Sequence, residues 1–135
     1  MNLPAMRKLI IFVVLMTTSA YLQAQDYSFP IGKTKMEVRE GNKKIPFVIS
    51  AQGDTIDNYS NSGQQMVYYY KNNICYKVKE IFPLGYEFVI QGTFDKVYKK
   101  VRDNVWTDQS NNQIELTEDK VKNEFSFEVT SVNAN

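Results

Sequence analysis

The segment that most constrains the fold is EFSFEVTSV, where apolar and polar residues alternate without a break from Glu124 to Thr130. Side chains on a strand point to opposite faces in turn, so Phe125, Phe127 and Val129 share one face, and Glu124, Ser126, Glu128 and Thr130 share the other. A strand of this kind buries one face and needs neighbours that do the same. Similar period-two signals recur along the chain. In QIELT, Ile114 and Leu116 lie on one face after a polar turn over Gln109–Asn112, and Val105–Trp106 opens another short strand. MVYYYKNNICYKVKEI reads as a hairpin with Asn72-Asn73 at its turn, because asparagine tolerates the left-handed backbone that tight hairpin turns require.

The first such signal is TKMEVREGNKKIPFVIS. Met36 and Val38 alternate with Lys35, Glu37 and Arg39, Glu40-Gly41-Asn42 supplies a turn, and Ile45, Phe47 and Ile49 share a face on the return. These spacings predict a hairpin, with Pro46 marking an edge strand or a bulge because it cannot donate to a ladder. Ala51–Gln65 is polar and turn-rich, and reads as a long loop suited to binding.

One stretch breaks the pattern. Tyr86, Val89, Ile90, Phe94, Val97, Tyr98 and Val101 are spaced by three and four, which predicts a helix over about 84–98 with Pro83 in its first turn. Gly92 opposes that reading, and the alternation of Tyr86, Phe88 and Ile90 offers a rival strand, but the alternation fails after Gln91. The expected fold is therefore α+β: an antiparallel sheet of about six to seven strands packed against one main helix. The alternative is an all-β meander closed into a barrel.

The N-terminus concerns destination rather than fold. Arg7 and Lys8 precede an apolar run from Leu9 to Met16, and small and polar residues lead to Leu22-Gln23-Ala24. That is the layout of a secretory signal peptide over residues 1–24, with cleavage near Ala24. Eight apolar residues are far fewer than the roughly 20 that cross a bilayer, so no integral membrane span is expected in the mature chain. Residues 25–135 then form a single small domain, exported to the periplasm or the outside. Its 14 Lys+Arg against 15 Asp+Glu give a formal charge of −1. These charges are interspersed, which argues against nucleic acid as a partner.

The chemistry is bounded by what is missing. The chain has no histidine and one cysteine, Cys75. A Ser–His–Asp triad, a His-ligated catalytic zinc and a cysteine cluster are thereby excluded, as is an internal disulfide. Strict alternation puts Cys75 on the face opposite Ile74, Tyr76 and Val78, beside Lys77 and Lys79, which favours a thiolate. Without a histidine to activate it, the thiol reads as a structural residue, with an accessible reactive thiol as the second option. The acidic turns around Asp103, Asp108, Asn111, Glu115 and Asp119 match no calcium-loop spacing, and no cofactor is implied.

Aromatic residues are the surplus: the mature chain carries 16. Tyrosine joins an apolar body to a polar tip and is enriched at interfaces, so Tyr59, Tyr68, Tyr69, Tyr70 and Trp106 are the candidate binding residues, set against the plainer reading that they fill the core. The expected function is an exported, non-enzymatic module that binds a protein or a cell-envelope polysaccharide. The alternatives are a small-ligand carrier with a lipocalin-like barrel cavity and, less favoured, a carboxylate-dependent hydrolase acting on polysaccharide.

Overall fold

A computed structural model describes residues 29–43, 48–52, 55–61 and 63–132. The elements run α1 (Lys35–Asn42), β1 (Val48–Gln52), β2 (Ile56–Asn61), β3 (Gln64–Lys71), β4 (Ile74–Pro83), α2 (Glu87–Val97), β5 (Lys99–Arg102), β6 (Val105–Thr107), β7 (Asn112–Asp119) and β8 (Glu124–Ser131). The eight strands form one sheet in the order β1-β2-β3-β4-β8-β7-β6-β5, with every pairing antiparallel. The architecture is α+β. The sheet has two ends, β1 and β5, and does not close into a barrel.

Its topology follows from local turns. Strands β1 to β4 form one meander and β5 to β8 another, and α2 carries the chain from one to the other so that β8 pairs with β4 at the centre. Asparagine at positive φ occupies four of the turns: Asn72 and Asn73 between β3 and β4, Asn104 between β5 and β6, Asn111 before β7, and Asn123 before β8. Asparagine reaches this region at lower cost than other side chains bearing a Cβ, and its twist suits the hairpin. The Asn72-Asn73 turn is where the sequence placed it.

One face of the sheet is the core face. Phe125, Phe127 and Val129 of β8 are fully buried there, beside Val78 and Phe82 of β4, Ile114 and Leu116 of β7 and Trp106 of β6. Phe82 stacks on Phe125 at 5.2 Å between centroids. Helix α2 lowers Phe94 into this group, edge-on to Phe127 at 5.0 Å and to Trp106 at 5.3 Å. Phe29 of the lead-in packs against Tyr98 and Phe127. Such edge and offset ring contacts add to the burial of aromatic area itself.

Three expectations need correction. Lys35–Asn42 is a helix, not a strand: Thr34 caps it, its hydroxyl accepting from the Glu37 amide while the Glu37 carboxylate accepts from the Thr34 amide. This reciprocal capping box stabilises the first turn, and Val38 and Asn42, four apart, face the sheet. Ala51–Gln65 is not a long loop, since Ile56–Asn61 is strand β2, paired on both sides. Pro83 ends β4 instead of opening α2, and the helix starts after a turn in which Gly85 takes φ +117°. The signal peptide, its cleavage site, the Ile45 and Phe47 positions and Pro46 lie outside the described residues. No helix among the described residues is long and apolar enough to cross a membrane.

Candidate functional site

The tyrosines of β2 and β3 divide between the two sheet faces. Tyr59, Tyr68 and Tyr70 are buried on the core face under α1, and Trp106 is buried under α2. The polar tips of Tyr68, Tyr70 and Trp106 are satisfied internally. The Tyr68 hydroxyl donates to Asn42 Oδ1 at 3.3 Å and the Tyr70 hydroxyl donates to Asp57 Oδ2 at 3.0 Å. Trp106 Nε1 donates to Asp95 Oδ1 at 2.9 Å. Burial raises the pKa of both tyrosines well above the usual phenol range. These four rings build the core beneath the helices.

Tyr69 is placed differently. It stands on the outer face, half-buried, with Lys77 Nζ 4.1 Å above its ring and Tyr76 at 6.4 Å. Lys77 in turn lies 4.0 Å from the Glu128 carboxylate. A cation over a tyrosine face holds the ring upright while leaving part of it open to solvent. The outer patch of Tyr69, Tyr76 and Lys77 therefore presents aromatic surface, a phenol and an ammonium together. Sequence reasoning singled out Tyr69 but placed Tyr76 on the core side, because it assumed unbroken alternation.

A β-bulge explains the difference. Tyr69 pairs with Lys77, whereas the next residue, Tyr70, pairs with Cys75, so β4 carries Tyr76 as an extra residue. Alternation resets there, and both Cys75 and Val78 face inward. Cys75 is 1% exposed, its Sγ lies 3.6 Å from the Lys77 carbonyl, and burial pushes its thiol up to about 11. The lysines that looked like thiolate partners are across the sheet from it.

Two carboxylates on the core face were not legible as special. Asp57 is fully buried and receives a two-pronged contact from Arg39, Nε at 2.8 Å and Nη2 at 2.7 Å, besides the Tyr70 hydroxyl. Arg39 holds the Asp57 carboxyl below its usual range, and Asp57 in turn raises the guanidinium. Glu80 of β4 lies between Met66 of β3 and Phe127 of β8 in register, 2% exposed, with Oε2 unpartnered. Burial alone pushes its carboxyl up to about 8. Such a shift often marks a general acid, but an acid acts only on what reaches it, and Glu80 is enclosed within the packed core face.

Two recesses flank the helices. One of about 720 Å³ runs beside α1, lined by Thr34, Lys35, Met36, Arg39, Glu40 and Asn73, with Met36 81% exposed. The other, about 250 Å³, is polar and lies at the edge of Trp106 among Gln91, Asp95, Lys100, Asp103 and Asn104. Among the described residues no group of three or more Cys, Asp or Glu is arranged to hold a metal ion. Compared with known proteins, the chain matches no family model, no curated protein and no solved structure.

Proposed function

We propose that the protein is an exported, non-enzymatic binding module that recognises a protein or a cell-envelope polymer through the outer face of its sheet. The observation that carries this reading is the placement of Tyr69, half-exposed on an open face and braced by Lys77 and Tyr76, while the neighbouring candidate rings are committed to the core. The leader-like residues 1–24 support export. The open sheet removes the closed barrel on which the carrier reading depended. On this reading the binding surface is the strand face at the β3–β4 bulge.

The test is retention from an envelope extract by immobilised wild-type protein and by Tyr69→Ala. A partner kept by the wild-type protein and lost by the variant supports the reading. Equal retention by both, or none by either, counts against it. Sequencing the N-terminus of the exported protein checks the location: a chain beginning at Gln25 is expected.

A further inference from the structure

The polar recess at the edge of Trp106 is built from two elements. Helix α2 supplies Gln91 and Asp95, one turn apart, and the β5–β6 hairpin supplies Lys100, Asp103, Asn104 and Trp106. Lys100 pairs with Trp106 in register. The turn between them is held at Asn104, whose φ is 61° and whose carbonyl accepts from the Leu116 amide at 2.9 Å. The walls are fixed by their own hydrogen bonds. Trp106 Nε1 donates to Asp95 Oδ1 at 2.9 Å, and Gln91 Nε2 donates to Asn104 Oδ1 at 2.8 Å. These bonds leave Asp95 Oδ2 and Gln91 Oε1 as acceptors and Asn104 Nδ2 as a donor. Lys100 Nζ stands 3.9 Å from both Asp95 Oδ1 and Asp103 Oδ1, too far to spend a hydrogen bond on either, and the Asp103 side chain is fully exposed.

This mixture selects by charge. The ammonium between two carboxylates repels a metal cation, and the carboxylates repel an anion. A hydroxyl suits both halves of the recess, because it accepts from an N–H and donates to a carboxylate. Neighbouring hydroxyls on one ring can therefore bridge the ammonium and amide donors to the carboxylate acceptors. At about 250 Å³ the recess is below the roughly 300–1,000 Å³ of sites for drug-sized ligands, which leaves room for one small ring. We propose that this recess binds one sugar unit of a neutral saccharide, its hydroxyls held by Asp95, Asp103 and Lys100. Trp106 is 1% exposed, so its ring does not stack on the sugar; it positions Asp95 instead. With polar contacts alone, a dissociation constant on the order of 1 mM is expected. The recess lies on the α2 side of the sheet and Tyr69 on the outer face, so this site is separate from the surface proposed above.

Trp106 is the only tryptophan in the chain, and its indole N–H is bonded to a residue of the site, so its emission reports occupancy. Purified protein is titrated with glucose, galactose, mannose and N-acetylglucosamine, and with calcium and sulfate as charged controls. A saturable change in emission with at least one of the sugars is expected. Asp103→Ala and Lys100→Ala should each raise the dissociation constant about tenfold, the loss expected for one hydrogen bond to a charged group. The Asp103 side chain is fully exposed and that of Lys100 half-exposed, so both variants should fold as the wild type does. Tyr69→Ala should bind the sugar unchanged, which separates this site from the outer face. No response to any of the sugars, a response that survives both substitutions or is lost in Tyr69→Ala, or saturation by calcium or sulfate alone overturns the proposal.

Discussion

Cys75 shows how one inserted residue changes a chemical reading. With strict alternation it would share an open face with two lysines and react readily. The bulge at Tyr76 turns it inward, where burial disfavours the thiolate. The native protein is therefore expected to leave a thiol reagent such as 5,5′-dithiobis(2-nitrobenzoate) unconsumed at pH 7.5 over minutes and to consume one equivalent once unfolded in guanidinium. Prompt reaction of the native protein would contradict the inward placement. Hydrophobic alternation correctly assigned Val78, Ile114, Leu116, Phe125, Phe127 and Val129 to the core, because each lies on an uninterrupted stretch of strand. It failed at Cys75 and Tyr76 because a bulge leaves no mark in residue type: Tyr, Cys and Lys all suit a strand on either face. The turn asparagines were legible for a physical reason, namely the left-handed backbone. Replacing Asn73, at φ 61°, with valine should cost on the order of 1–2 kcal/mol in a urea titration, since a β-branched side chain is strained there.

Among the elements, α1 was the least legible, and its signal was nonetheless present. Thr34-Lys-Met-Glu37 fits the capping-box pattern, but Met36 and Val38 also fit a strand, and over so short a segment the two periods are hard to separate. What decides for helix is the reciprocal cap together with tertiary contacts that no local pattern reports. Arg39 reaches Asp57, 18 residues further on, and Tyr68 reaches back to Asn42. Helix α2 was legible as a helix but not in its limits, because Pro83 fits both the end of a strand and the start of a helix. Two substitutions separate the contributions to α1. Thr34→Ala removes the cap from an exposed helix end and should lower stability by about 1 kcal/mol. Arg39→Met leaves Asp57 buried without its cation and should cost about 3 kcal/mol or more, although Arg39 itself is partly exposed. If the two substitutions prove equally mild by urea titration, Asp57 is not held by Arg39 in solution.

For the molecule as a whole, the buried carboxyls of Asp57 and Glu80 make opposite demands on pH. Asp57 has a depressed pKa, so the stability it contributes is present above its unfolded value, near 3.8, and is lost as pH falls through the lower folded value. Glu80 has a raised pKa, about 8 against 4.5 unfolded. Folded and unfolded chains both carry its proton below 4.5. Between 4.5 and 8 the unfolded chain releases the proton while the folded chain keeps it, and stability falls by roughly 1.4 kcal/mol per pH unit across that window. Both contributions coexist in full only near pH 4.5. The urea midpoint should therefore peak there and decline toward pH 8, whereas maxima between pH 5 and 8 are the ordinary case. Glu80→Gln should flatten the descending limb above pH 4.5 while leaving the acid limb in place, because Asp57 and Arg39 are untouched. A wild-type midpoint constant from pH 5 to 8, or a Glu80→Gln curve parallel to it, would mean that Glu80 does not keep its proton in the folded protein and that charge at the centre of the sheet is tolerated after all.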